Sequence, residues 1–367
     1  MLNIYSSEFV KDMSPQLGDH YLNLFPWLKS VVLQVVKEYC NEDRVRQLLD
    51  IRDNRDLIGY ERAWIQPLES YINRSGKYLR PYLVSLLLEA YGHTPADWPL
   101  EIALAEIIHS SSLILDDIAD NSKYRRGELT AHELYGAGIA GAAACGWLNL
   151  GAELVWMDKD RLGPGAISHL LQELAWEHYV TGVGTVVDVT WAWRREGDFS
   201  TATYLQQVVH RSTSYTYRLP LKIGAITAHA PLADIQALSN FGELLGLAFQ
   251  LKDDMLNAEA NDAHWGKEIG EDIMEGKFTL QIIYALEHAS PGDKKELLEI
   301  LGSKTRNQAL IAKAVDILRR TGAFEYCQSL AISYCEKSKS CIRPLTIAPR
   351  YKEMLVTFAE YIINRNR

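Results

Sequence analysis

The sequence predicts an all-α protein built as a single large helical bundle. Three observations carry that expectation. Apolar residues recur at helical rather than alternating spacing almost throughout, no run reads convincingly as a strand, and short Gly, Pro, Asn and Asp clusters punctuate the chain at helix-sized intervals. With 367 residues, 47% of them hydrophobic, the chain can bury a large core, and no linker is long or polar enough to separate domains.

Taken in order, residues 1–20 read as a weakly ordered N-terminal arm and residues 21–367 as the helical domain. Breaks at Gly92 to Pro99 and Asn121 to Gly127 bracket EIALAEIIHSSSLILDDIAD, which keeps a helical period from Glu101 to Asp120. Gly163 to Gly165 and Gly197 to Ser200 bracket a stretch containing LLQELAWEHYVTGVGTVVDV. Ala230 and Pro231, then Asn261 to Gly270, bracket FGELLGLAFQLKDDMLNAE. Beyond Ser290 to Asp293, AKAVDILRRTGAFEYCQSLAISYCEKS carries the same period. Trp147, Trp156, Trp176, Trp191 and Trp193 fall in helical stretches and are expected in the core, with Trp147 able to close a cavity floor.

The net charge of -9 and the lack of any basic stretch argue against nucleic acid as a partner. Cys40, Cys145, Cys327, Cys335 and Cys341 are odd in number and scattered, which suits buried, reduced thiols in the cytoplasm. No apolar run approaches the roughly 20 residues that span a bilayer, so no membrane span is expected.

The chemistry concentrates in LILDDIADNSKYRRG. If the helix runs to Asp120, Asp116 and Asp120 stack one turn apart, Asp117 lies about 100° round the axis, and His109 and Ser112 share the Asp116 face. Carboxylates at a helix C-terminus repel one another and oppose the macrodipole, so a positive partner is required. Solvent or Arg125 and Arg126 would serve a lone acidic pair, but the device is repeated: Asp253 and Asp254 also end an apolar helix, with Asn257 one turn on. Two such ends suggest facing metal sites at the mouth of a hydrophobic cavity. Oxygen ligands without nearby His or Cys favour Mg²⁺, which bridges carboxylates to substrate phosphate. Lys77, Arg80, Lys267 and Lys277 offer phosphate-binding charge.

GKYLRP, HSSSLILDDIADNSKYRRG, FQLKDDMLN and GKEIGEDIMEGKFTL, in this order, resemble the trans-isoprenyl diphosphate synthases, and most of all the geranylgeranyl diphosphate synthases of fungal and animal type. The resemblance implies a bundle of the isoprenoid synthase type around a deep hydrophobic cavity. It implies up to three Mg²⁺ ions held by Asp116, Asp120 and Asp253, with Asp117 and Asp254 at or just behind them. It places Arg125, Arg211, Ser212, Gln250, Lys267 and Lys277 around an allylic diphosphate (dimethylallyl, geranyl or farnesyl), and Lys77, Arg80, His109 and Arg126 around isopentenyl diphosphate. Asp116, Asp120, Asp253, Arg211 and Lys267 would carry the catalysis. Ile108, Ser111, Ser112 and Trp147 would gauge chain length, with small residues favouring a C20 product over C15 or C25. A homodimer is expected, and a terpene cyclase on the same fold is the alternative. Three departures stand out: Thr185 where the family has glutamine, with Asp188 retained; Arg211-Ser212 for Lys-Thr; and CGWLNL where Gly-Asp is usual. The tail arginines Arg365 and Arg367 read as a solvated end, a fold-back over the second diphosphate being the sharper alternative.

Overall fold

Ser14 starts the first long helix: its hydroxyl accepts from the Leu17 N–H, and Pro15 occupies the first turn, where a missing N–H costs nothing. The computed structural model describes residues 10, 13–50, 59–74, 76–194, 199–259 and 270–365. The order is α1 (Pro15–Tyr39), α2 (Glu42–Leu49), a π turn (Glu61–Ile65), α3 (Gln66–Asn73), α4 (Leu79–Ala90) and α5 (Pro99–Asp120). A short hairpin, β1 (Tyr124–Arg125) with β2 (Glu128–Leu129), precedes α6 (Ala131–Tyr135), α7 (Ala137–Met157) and α8 (Lys159–Arg194). Then come α9 (Thr201–Thr213), a second π turn (Ser214–Arg218), α10 (Leu219–Thr227) and α11 (Leu232–Glu259). The chain ends with α12 (Glu271–Glu275), α13 (Leu280–His288), α14 (Pro291–Ser303), α15 (Gln308–Arg320), α16 (Ala323–Ile342) and α17 (Pro349–Asn364). The arm boundary expected at residue 20 falls inside α1, where Leu17 and Tyr21 are buried.

Two helices organise the bundle. The middle of α5 is buried on every side, from Leu100 to Ser111, as suits a helix surrounded by α1, α4, α3 and α7. α11 lies among α9, the second π turn, α10 and α16. Gly246 lets α11 come this close, because a Cβ there would sit 2.6 Å from Thr213 Cβ. One apolar core gathers α1, α3 to α5, α7 and α17; a second gathers α9, the far end of α11 and α13 to α16. The cavity opens between α5 and α11.

Several expectations change. The turn after Asp120 contains the hairpin, two residues a strand, too short to register as a periodic run. Trp147 and Trp191 are core, but Trp156, Trp176 and Trp193 are exposed. Cys145 is exposed and Cys341 half-buried. α7 is long and apolar enough to cross a bilayer by length and composition alone, because its many alanines and its leucines raise hydropathy; one face packs on α5.

Candidate active site

A cavity of about 820 Å³ receives the C-terminal ends of α5 and α11. α5 stops because Asn121 turns left-handed at φ 55°, with the Ser122 N–H bonded to Asp117 O. This leaves the three aspartates on its last turn, facing the wrong end of the helix dipole. Each finds a cation. Arg211 Nη2 donates to Asp116 Oδ1 at 2.6 Å while its Nη1 meets Asp188 Oδ2 at 2.9 Å. Lys277 Nζ donates to Asp120 Oδ2 at 2.7 Å and lies 2.8 Å from Glu275 Oε2. On α11, Asp253 Oδ1 accepts from Arg365 Nη2 at 2.7 Å. Burial alone would lower the Arg211 and Lys277 pKa values; the carboxylates, Asp188 first for Arg211 and Asp120 first for Lys277, reverse this and hold both well above the ordinary range.

Asp117 and Asp254 are buried, unlike Asp116 and Asp253 beside them, and are held by protein partners, as suits a place just behind the expected metal ligands. Asp117 is fully buried; Arg125 Nε donates to its Oδ1 at 2.9 Å and Tyr71 Oη to its Oδ2 at 2.5 Å. Asp254 accepts from Tyr204 Oη at 2.5 Å and Gln250 Nε2 at 2.6 Å, and burial pushes its carboxyl up. Asp117 anchors the end of α5, and Asp254 ties α11 to Tyr204 of α9. Gln250 and Arg125 line the cavity but are held by these aspartates.

The neighbouring wall is basic. Arg80, His109 and Arg126 line it with Lys77, whose carbonyl accepts from Tyr21 Oη of α1 at 2.6 Å. The hairpin presents Arg126 from a left-handed backbone (φ 55°), and Gly76 makes room for it: a Cβ there would stand 2.9 Å from Arg126 Nη1. Arg74 braces the hairpin by donating to Leu129 O at 2.6 Å. Burial lowers Arg80 to about 10 and lowers Arg126 as well. Burial, then the charges of Arg80, Arg126 and Arg125, keep His109 neutral, well below its usual value. Glu106, one turn earlier on α5, is the acidic side chain whose charge acts on both Arg80 and Arg126.

The rest of the expected set separates. Ser212 and Ser112 line the cavity. Ser111 does not: it is buried, its hydroxyl donating to Ile107 O at 2.7 Å. Ile108 packs against Gly151 of α7, and Trp147 of α7 against Trp64 of the first π turn with ring centres 5.5 Å apart, so both belong to the packed core and not to the cavity wall. Leu113, Leu115 and Leu148 form apolar wall instead. Lys267 and Arg367 lie outside the described residues. Arg365 is no solvated end: it is 6% exposed, its guanidinium stacked 3.9 Å over Phe249. Asp188, Tyr204 and Arg365 also line the cavity, and of these Tyr204 alone was not singled out in the sequence. Asp188 had a signal in the retained aspartate of GTVVD, whereas Arg365 reaches Asp253 only through the fold.

The family model for polyprenyl synthetase matches residues 61–318. The chain belongs to the polyprenyl synthetase family. Among its relatives, the short chain isoprenyl diphosphate synthase of Methanothermobacter thermautotrophicus is 30% identical over 341 residues, 91% of this chain and 98% of that one. The geranylgeranyl diphosphate synthase of Methanosarcina mazei is 32% identical over 295 residues, 80% of this chain and 87% of that one. A geranylgeranyl pyrophosphate synthase from Corynebacterium glutamicum, solved with isoprenyl diphosphate and magnesium, superposes with a TM-score of 0.79 over 93% of this chain and 98% of that one, at 22% identity, which establishes the shared fold. As a polyprenyl synthetase the chain is a trans-prenyltransferase, in a family that uses divalent metal. The donor set fits that metal. Asp116, Asp120 and Asp253 are oxygen donors of the kind Mg²⁺ takes, and they would hold it together with substrate phosphate, since among the described residues no three acidic, His or Cys side chains form a cluster by themselves.

Proposed function

We propose that this polyprenyl synthetase condenses isopentenyl diphosphate with an allylic diphosphate and releases geranylgeranyl diphosphate. The observation that carries the reading is the division of one cavity mouth into two unlike anion sites. One is carboxylates interleaved with cations, suited to a diphosphate that arrives with metal. The other is Lys77, Arg80, His109 and Arg126, suited to a diphosphate bound without it. Asp116, Asp120 and Asp253 would hold up to three Mg²⁺ ions, which neutralise charge developing on the departing diphosphate. Arg211 and Lys277 would then grip the leaving oxygens as Asp116 and Asp120 turn to metal, and Lys267, which lies outside the described residues, would join them. The allylic C1–O bond breaks with its electron pair on the diphosphate. The isopentenyl double bond attacks C1, and loss of a proton from the adduct restores an alkene. The acceptor side binds and orients, and the leucines and Phe249 exclude water.

The chain-length reading rests on Ser112, a small residue one turn below Asp116 on the cavity face, together with the Methanosarcina mazei relative's name. A helical turn rises about 5.4 Å, near the length of one isoprene unit, so a small side chain here permits growth past C15.

A homodimer is a component of the same reading. Trp176, Tyr179, Val183, Val186 and Trp193 on α8 follow heptad a and d spacing and are exposed, Trp193 by 76%. Ile139, Trp156 and Met157 of α7 are exposed too. A second copy covers this seam best, since a symmetric contact matches a stripe with itself. Product analysis after incubation with Mg²⁺ and farnesyl diphosphate, with and without isopentenyl diphosphate, tests the function. A C20 diphosphate formed only with both substrates supports it.

A further inference from the structure

A proline explains the second π turn. In an α-helix the N–H of residue 220 would bond the carbonyl of residue 216; Pro220 has no N–H, and its ring crowds that carbonyl. The backbone widens instead, and the Leu219 N–H bonds Ser214 O, five residues back. In this register the next carbonyl, Tyr215 O, would pair with the N–H that Pro220 lacks. Arg80 Nε takes it at 3.1 Å, while Arg80 Nη2 donates to Thr216 Oγ1 at 3.3 Å.

The turn is clamped from α8. Arg218 Nε and Nη2 donate to the two Glu177 oxygens at 2.7 Å each, Ser214 Oγ donates to Glu177 Oε2 at 2.5 Å, and Lys222 Nζ donates to Oε1 at 3.1 Å. Glu177 is fully buried. A buried ion pair is weak evidence for stability, but this one joins α8 to the π turn whose Tyr215 O and Thr216 Oγ1 hold Arg80.

We propose that Glu177, Pro220 and Thr216 are positioning residues for the acceptor diphosphate: they fix the π register and aim the Arg80 guanidinium into the cavity. The proposal rests on the reading of Arg80 as an acceptor ligand. Pro220→Ala supplies the missing N–H, which competes with Arg80 for Tyr215 O. We expect the KM for isopentenyl diphosphate to rise about ten-fold, with the allylic KM and kcat within about two-fold and no loss of thermal stability, a split that a purely structural proline would not produce. Thr216→Val removes one bond and should raise the same KM about three-fold. Glu177→Gln should act in the same direction; if it fails to fold, the other two variants, which leave the ion pair intact, decide the matter. Arg80→Gln separates the two claims. If it leaves the acceptor KM unchanged, the acceptor-site reading falls and this proposal with it. If it raises that KM while Pro220→Ala and Thr216→Val both leave it unchanged, the positioning role alone is overturned.

Discussion

Asp116 and Asp117 are neighbours in the chain with opposite tasks. Asp116 faces the cavity and Arg211, whereas Asp117 is sealed against Arg125 and Tyr71. Asp116→Asn should therefore cost about 10³-fold in kcat, as loss of a main electrostatic stabiliser does, with the melting temperature nearly unchanged. Asp117→Asn should instead destabilise, by about 3–5 kcal/mol, because it leaves Arg125 buried beside a neutral partner; thermal unfolding of the two variants distinguishes them. His109 gives a pH signature. Its folded pKa is depressed well below 6.5, so below that pH the unfolded chain binds a proton that the fold refuses. Stability should fall as pH drops below about 6.5, and His109→Gln should flatten that slope in melts taken across acidic and neutral pH. At this scale the sequence was largely readable: helical spacing put Asp116, Asp120, His109 and Ser112 on one face. It could not show Arg365 against Asp253, since 112 residues separate them and only the docking of α17 joins them.

α5 shows why an element is harder to read than a motif. Its middle is buried all round, so the pattern of apolar residues does not tell a face packed on α7 from a face lining the cavity. Both Ser111 and Ser112 were expected to gauge chain length, although only Ser112 shares the Asp116 face, and the structure separates them along that line. Ser112→Phe should shorten the product towards C15 by filling the cavity. Ser111→Phe should leave product length unchanged and lower stability by about 1–3 kcal/mol through overpacking. Product chromatography with denaturant unfolding of both variants checks the pair. The acidic end of α5 was legible because repulsion at a helix C-terminus demands a partner, whereas α11 runs on past Asp253 and Asp254 to Glu259, so the second pair does not close its helix as expected. The π turn at Ser214–Arg218 was not legible, although Pro220 marks it: a proline in a helical stretch equally suits a break, a kink or a first turn.

The bundle as a whole was predicted from periodicity and punctuation, while its surfaces were not. Helical spacing reports that a stripe is apolar and says nothing of whether the stripe meets the chain's own core or another molecule. Trp176 and Trp193 therefore read as core until the fold exposed them. If a second copy covers the α8 seam, Trp176→Asp with Val186→Asp should convert the dimer to monomer in light scattering, and wild-type protein should not dissociate at the same concentration. The central claim is that one cavity binds two unlike diphosphates and joins their prenyl chains. The measurement that bears on it most directly is incorporation of radiolabelled isopentenyl diphosphate by the purified protein with Mg²⁺ and farnesyl diphosphate. The account predicts a single labelled C20 diphosphate that disappears when either substrate or metal is withheld. An unlabelled cyclic hydrocarbon, formed equally well without isopentenyl diphosphate, would contradict it.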